Sequence, residues 1–227
     1  MLTDNYNGTG NKLLLAEKAL ILCQFFDSAE DVRKRGASND IDVYPSNYKY
    51  SKVRAFLNGL PYDIMESGSQ KDSTEFEMKG FLQTAFTFEE RKKILRTLVD
   101  NSPESTNPDG NPNHWNSGKN EYACDDTKDH IFLLSVKEAT TASYGFADNP
   151  HTNDGARLQI ATDFALANGA KYSTDGSRCL LRSPNATSSS TVCAIVDTGR
   201  VDNYGASVDS TTICVVPALC IGPESVQ

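Results

Sequence analysis

Ser177-Arg178-Cys179-Leu180-Leu181-Arg182-Ser183-Pro184 opens, and Val215-Val216-Pro217-Ala218-Leu219-Cys220-Ile221 closes, the C-terminal stretch that decides the fold. Between them short apolar pieces alternate with Asn, Asp, Ser and Gly: Cys179 to Leu181, Val192 to Val196, Arg200-Val201, Ser207-Val208 and Ile213 to Val216. That spacing predicts short strands joined by tight turns, a small antiparallel sheet with loops on one side. Alternation assigns Leu181, Val201, Val208, Val215 and Leu219 to a buried framework. It places Asn185, Ala186, Ser188, Ser190, Ala194, Val196, Asp202, Tyr204, Ala206, Asp209, Thr211 and Ile213 on one exposed face, the candidate ligand surface. Arg178 and Arg182 flank the apolar triplet and are expected to pair with a carboxylate or with loop carbonyls.

Upstream of the tail the pattern mixes both element types. Leu13 to Leu15 and Ala19 to Leu22, split by Glu17-Lys18, suggest a β-hairpin within Lys12 to Phe26, with one helix as the alternative. Ser28 to Lys34 fits one or two helical turns, and Asn39 to Tyr50 is loop-like. Ser51 as N-cap, Val53, Phe56 and Leu57 on one face, and Gly59 as stop predict a helix. Pro61 to Lys79 is polar and is expected to be an insertion loop. Thr87 followed by Glu90 is a capping box, opening a helix with Ile94, Leu95 and Leu98 inward. His130 to Val136 is a buried strand by composition, with a short helical turn from Lys137. Ala156 to Ala167 has the apolar spacing of an amphipathic helix ended by Asn168-Gly169.

Composition narrows the function classes. The chain has 227 residues, a net charge of −8 and 38% hydrophobic residues, enough for a real core. An acidic chain without a basic cluster opposes nucleic-acid binding, which rests on grouped Lys and Arg. No apolar run reaches the length of a membrane span, and the polar start Met-Leu-Thr-Asp-Asn shows no signal peptide. Six cysteines (23, 124, 179, 193, 214 and 220) contain no CxxC, which disfavours a zinc ribbon. They are expected to act mostly as small apolar fillers, with disulfides left open. His114, His130 and His151 are scattered, and no Ser/His/Asp or His/His/carboxylate spacing occurs. Asp109-Gly110-Asn111-Pro112-Asn113 loosely suggests a calcium loop but lacks the twelfth-position Glu. No catalytic residue, metal or cofactor is therefore expected. Neither an internal repeat nor an interdomain linker is visible, so residues 1–227 read as a single domain.

The Leu-Arg-Ser-Pro and Pro-Ala-Leu segments resemble the tail of a bacterial family of unknown function, which usually reads Trp-Trp-Leu-Arg-Ser-Pro and then Gly-Val-Arg-Pro-Ala-Leu-Trp. The Arg54-containing helix, the Thr84-Ala85-Phe86 segment and Phe132-Leu133-Leu134-Ser135-Val136 resemble it in the same order. That family is similar to the formylglycine-generating branch of the C-type lectin fold. Some members resemble the treponemal variable proteins, whose C-termini are rewritten by diversity-generating retroelements. This chain departs from the pattern: Cys179-Leu180 replace the tryptophans, Asn185 a glycine, Cys214-Val215-Val216 replace Gly-Val-Arg, and Cys220 an aromatic. The resemblance implies one α+β, C-type lectin-like domain with two or three helices, short antiparallel strands and long loops. It further implies a variable region at 177–221 and export to the cell surface, with a lipid on a removed N-terminal segment as the sole membrane link.

One count bears on that implication. Adenine-directed diversification does not create Lys, Glu, Gln, Met or Trp from an asparagine codon. These types make up 33 of the 227 residues, yet the 52 residues from Tyr172 to Pro223 hold none. Strands and tight turns also disfavour several of them, which accounts for part of the depletion. The expected function is a non-catalytic, monomeric binding module for a protein or glycan. The alternatives are a cysteine-oxidising enzyme of the formylglycine-generating type and a carbohydrate-binding lectin. The Glu-Pro-Asn and Trp-Asn-Asp motifs of calcium-dependent lectins are missing.

Overall fold

The two ends of the chain lie side by side in one sheet. The computed structural model describes residues 1–227 except 31, 36–40, 63, 67–68, 71–74, 107–119, 172–174 and 224–227. His114, Trp115 and the Asp109 to Asn113 segment thus fall outside the described residues. The chain runs through β1 (Thr3–Tyr6), β2 (Asn11–Leu15), β3 (Ile21–Leu22), β4 (Arg33–Arg35), β5 (Ile41–Val43), α1 (Lys52–Asn58), β6 (Ile64–Glu66) and β7 (Ser69–Gln70). It continues with α2 (Phe81–Ala85), α3 (Phe88–Arg91), β8 (Thr97–Val99), α4 (Pro103–Thr106), β9 (Thr127–Asp129), β10 (Ile131–Phe132), α5 (Val136–Ala139) and α6 (Asp163–Ala167). The tail supplies β11 (Cys179–Pro184), β12 (Thr191–Ile195), β13 (Val201–Ser207), β14 (Cys214–Val215) and β15 (Ala218–Ile221). The class is mixed α and β, with short helices around several mainly antiparallel sheets.

One sheet has the order β1-β2-β15-β10, and the tail sheet has the order β13-β12-β11-β14-β3. β15 pairs with β2 over four positions, Ala218 with Leu15 through Ile221 with Lys12. Ladders of such long sequence separation form only when side chains on both strands share a core. They do here: Leu13, Cys220, Phe132 and Ala218 are all buried in one hydrophobic cluster. Within the tail sheet β11 pairs antiparallel with β12 and parallel with β14. Short strands β4 to β7 form a third sheet, and β8 pairs with β9.

Helix α1 forms as its sequence predicts. Ser51 Oγ accepts the Arg54 amide at 3.1 Å, Val53 and Leu57 are buried, and Gly59 stops the helix at φ 64°. Its last residue pins the sheet: Asn58 Oδ1 accepts the amides of His130 and Ile131, and Nδ2 donates to the Ile131 carbonyl at 2.8 Å. Gly80 sits against this helix end, where an added Cβ would lie 2.3 Å from the Phe56 carbonyl oxygen.

Several expectations fail for one reason, capture of backbone groups by distant strands. Lys12 to Phe26 holds two strands, but they do not form a hairpin: β2 pairs with β1 and β15, whereas β3 pairs with β14. The Thr87–Glu90 capping box is present, yet α3 ends at Arg91. Leu95 N donates to Cys220 O at 2.8 Å, Ile94 bridges Ile221, and Leu98 lies in β8 facing outward. Ala156 to Ala167 is helical only from Asp163, after a 3₁₀ turn at Gly155–Arg157. Ile160 and Thr162 exchange hydrogen bonds with Ala19, and Phe164, an apolar residue of that stretch, is 63% exposed. Among the described residues of the Ser28 to Lys34 segment there is no helix, and β4 begins at Arg33. The loop-like segments Asn39 to Tyr50 and Pro61 to Lys79 contribute β5, β6 and β7. Among the described residues no helix is long and apolar enough to cross a membrane.

Candidate functional site

The Leu-Arg-Ser-Pro segment is the floor of the tail sheet, and every residue of β11 is buried. Arg182 Nη1 donates to the Leu133 carbonyl at 2.5 Å and pairs with the Glu138 carboxylate. Its Nη2 donates to the Asp100 carbonyl at 3.0 Å, and its guanidinium carbon lies 5.9 Å from the Phe132 ring centroid. Glu138 Oε1 accepts the Tyr6 hydroxyl at 2.5 Å, while its other oxygen accepts the Ser135 amide in a capping box. Burial opposes the Arg182 charge, but Glu138 outweighs it and raises the guanidinium pKa. Ser183 Oγ accepts the Val136 amide, and Asn120 Nδ2 donates to the Pro184 carbonyl. These residues fasten the sheet and do not meet solvent.

The solvent-facing side is built on the edge strand β13. Its register with β12 shifts between Val192 opposite Ala206 and Ala194 opposite Asp202. The extra residues bulge outward, with Gly205 at φ 82°, and carry Tyr204 to 86% exposure. Three contacts brace the bulge. Asp202 Oδ1 accepts the Tyr204 amide at 3.0 Å, Asn185 Nδ2 donates to the Tyr204 carbonyl at 3.1 Å, and Arg178 Nη2 donates to the Gly205 carbonyl at 3.0 Å. Arg178 also pairs with Asp202, as expected of a tail arginine. Beside it opens a cavity of about 270 Å³ lined by Lys171, Arg178, Ser207, Ser210, Thr212 and Cys214, among others. A second cavity of about 290 Å³ begins at Thr211 and extends to Lys52 and Phe76.

The twelve expected surface residues divide. Tyr204 and Thr211 are exposed, and Ala186, Ser188, Ser190, Val196, Asp202 and Asp209 are partly exposed. Asn185, Ala194, Ala206 and Ile213 are buried, a correction to the single exposed face. The bulge changes the alternation in β13, and the Asn185 side chain is spent on the turn, where its Oδ1 accepts the Thr187 amide. Val196 lies at the opposite end of β12 from Ser188 and Ser190. The structure brings together Asp202 and Tyr204 on the bulge, and Ser190, Asp209 and Thr211 beside it, where Val208 N donates to the Ser190 carbonyl. Of the framework residues Leu181, Val201, Val208 and Val215 are buried, while Leu219 is partly exposed. Sequence reasoning missed Ser207, Ser210 and Thr212 as lining residues. The hydroxyl-rich run from Ser207 to Thr212 was the available signal.

Cys179 and Cys214 are register partners in the parallel pair, and Cys179 Sγ donates to the Ser177 carbonyl at 3.3 Å. The neighbouring Cys179 thiol lowers Cys214, while the Cys214 neighbour and burial raise Cys179. All six cysteines are free thiols. Among the described residues no cluster of three or more His, Cys, Asp or Glu could hold a metal ion.

A family model described as Domain of unknown function (DUF6273) matches residues 9–223. No curated protein and no solved structure matches the chain.

Proposed function

The chain belongs to the DUF6273 family, and from that premise we propose that it is a non-catalytic binding module whose tail displays a changeable surface to a protein or glycan ligand. The observation that carries this reading is Tyr204. A large aromatic side chain stands 86% exposed on a bulge fixed by Asp202, Asn185 and Arg178. Exposed aromatics on rigid frameworks give much contact area at low entropic cost, as in antibody loops. The depletion of Lys, Glu, Gln, Met and Trp across 172–223 supports diversification of the region by a retroelement. On this reading the fold is C-type lectin-like, and the protein is a monomer exported and held at the cell surface by a lipid outside this chain.

The contact between Cys179 and Cys214 favours a second reading, a cysteine-oxidising enzyme of the formylglycine-generating type. Two libraries separate the proposals. Randomising Ser207, Tyr204, Ser210, Thr211 and Thr212 should leave most members folded and yield binders to a chosen protein target. Randomising Ala194, Ala206 and Ile213 should unfold most members. Equal losses of folding in both libraries would sink the display reading. A double Cys179→Ser, Cys214→Ser variant that still binds the selected target excludes a need for thiol chemistry. Protease shaving of intact cells tests the location.

A further inference from the structure

A groove of about 730 Å³ lies away from the tail, and none of residues 177–221 lines it. Its size falls within the range of small-molecule sites. The groove is formed by α1 on one side, Leu60-Pro61-Tyr62 on another and the outer face of the β8–β9 pair as floor. In that pair Thr97, Val99, Thr127 and Asp129 point inward and are buried. Leu98 and its register partner Lys128 therefore point outward, and Leu98 is 55% exposed. Arg96 lies beside them, its Nε donating to the Lys128 carbonyl at 3.4 Å.

The charges in this groove are unequal. Lys49 is paired with Asp125 at 2.8 Å, and Arg54 is paired with the buried Asp129 at 2.8 Å. Arg96 and Lys128 are exposed, and among the described residues neither has a carboxylate partner. Asp126, the one acidic lining residue, accepts the Asn101 amide. A chain of net charge −8 thus keeps two uncompensated cations around an exposed leucine on one concave floor. Tyr50 and Pro61 also line the groove and add apolar surface to it.

We propose that this groove binds a small ligand carrying a carboxylate on a ring, with Arg96 and Lys128 taking the carboxylate and Leu98, Pro61 and Tyr50 taking the ring face. A guanidinium can hold a carboxylate through two parallel hydrogen bonds, and the ammonium adds a point charge. Two sources share this chemistry: a uronic acid, whose sugar ring has an apolar C–H face, and an aromatic acid.

Calorimetric titration of the full chain at low salt with galacturonate and with 4-hydroxyphenylacetate tests the proposal. Galactose, 4-hydroxyphenylacetamide and tetraglutamate serve as controls. We expect at least one ring acid to bind below millimolar Kd, and its uncharged counterpart to bind about tenfold more weakly or worse. Binding by the sugar acid alone assigns a glycan source, and by the aromatic acid alone a small aromatic metabolite. Arg96→Gln and Lys128→Gln should each weaken binding about tenfold with the melting temperature unchanged, and added salt should do the same. Tyr204→Ser should leave it intact, which separates this site from the tail. Failure of both acids to bind, equal binding of the neutral rings or of tetraglutamate, or undiminished affinity in both variants would overturn the proposal.

Discussion

Arg182 and Glu138, 44 residues apart in sequence, meet as a buried ion pair at the junction of the tail sheet with α5. Tyr6 joins them from the N-terminal strand, so one guanidinium and one carboxylate tie three distant segments together. Removing one partner leaves an uncompensated charge in the core. Arg182→Ala should therefore cost about 3–5 kcal/mol in urea denaturation. Arg182→Met combined with Glu138→Leu should recover part of that loss. A cost under about 1 kcal/mol for the single variant would show that the pair is not buried as described.

The tail should respond to substitution in two distinct ways. Tyr204→Ser and Thr211→Ala touch exposed side chains and should change stability by less than about 0.5 kcal/mol. Ile213→Ser empties a buried position and should cost about 2–5 kcal/mol. Thermal melts of the three variants decide the matter, and similar losses for Tyr204→Ser and Ile213→Ser would contradict the assignment.

Acid stability should depend on Asp100. Burial raises its pKa, but hydrogen bonds from the Ser102 hydroxyl and amide, with Lys137 and Arg182 nearby, prevail and hold it below the usual 3.8. A carboxyl whose folded pKa is depressed adds stability above its unfolded pKa and loses it as pH falls through the folded value. The contribution should therefore be complete above about pH 5 and fade in more acid solution. In Asp100→Asn the stability curve should be flatter below pH 4; an unchanged acid limb would argue against this role.

Gly80 should tolerate no side chain. Its φ of −72° suits any residue, so the constraint is space: a Cβ would meet the Phe56 carbonyl at 2.3 Å and the Gly59 amide nitrogen at 2.5 Å. Both contacts are backbone and cannot rotate away. Gly80→Ala should lower stability by about 1–3 kcal/mol by forcing α1 and α2 apart, whereas Gly145→Ala, with open space around it but φ of 91°, would report strain alone.

Thiol reactivity should single out Cys214. Burial pushes Cys23 and Cys193 up to about 12, and Cys124 and Cys220 up to about 11. Cys214 is lowered by the neighbouring Cys179 thiol against the opposing effect of burial, and it lines the cavity beside Arg178. Because the thiolate is the nucleophile, iodoacetamide at pH 8 should modify Cys214 before Cys193, which is equally buried, as read by peptide mapping. Earlier modification of Cys193 would reverse the expected order.

Some of this architecture was legible in the sequence because its causes are local. Ser51 and Gly59 bound α1, Thr87 and Glu90 form their capping box, and apolar pieces in the tail become β11, β12 and β14. Caps and turns act within a few residues, so residue order alone determines them. The polar, Lys- and Glu-free composition of the tail is likewise a property of the sequence.

Tertiary structure decided what depends on distant partners. The helix expected after Thr87 stops because Leu95 finds Cys220, and the helix expected from Ala156 is delayed because Ile160 and Thr162 find Ala19. A backbone amide bonds one strand or continues one helix, and a partner far along the chain leaves no local mark. The same holds for the candidate surface: alternation placed Ala194, Ala206 and Ile213 outside, but the β13 bulge and the sheet packing bury them. Sequence fixes which residues could face a ligand. Only the register of β12 against β13 determines that Tyr204 stands exposed.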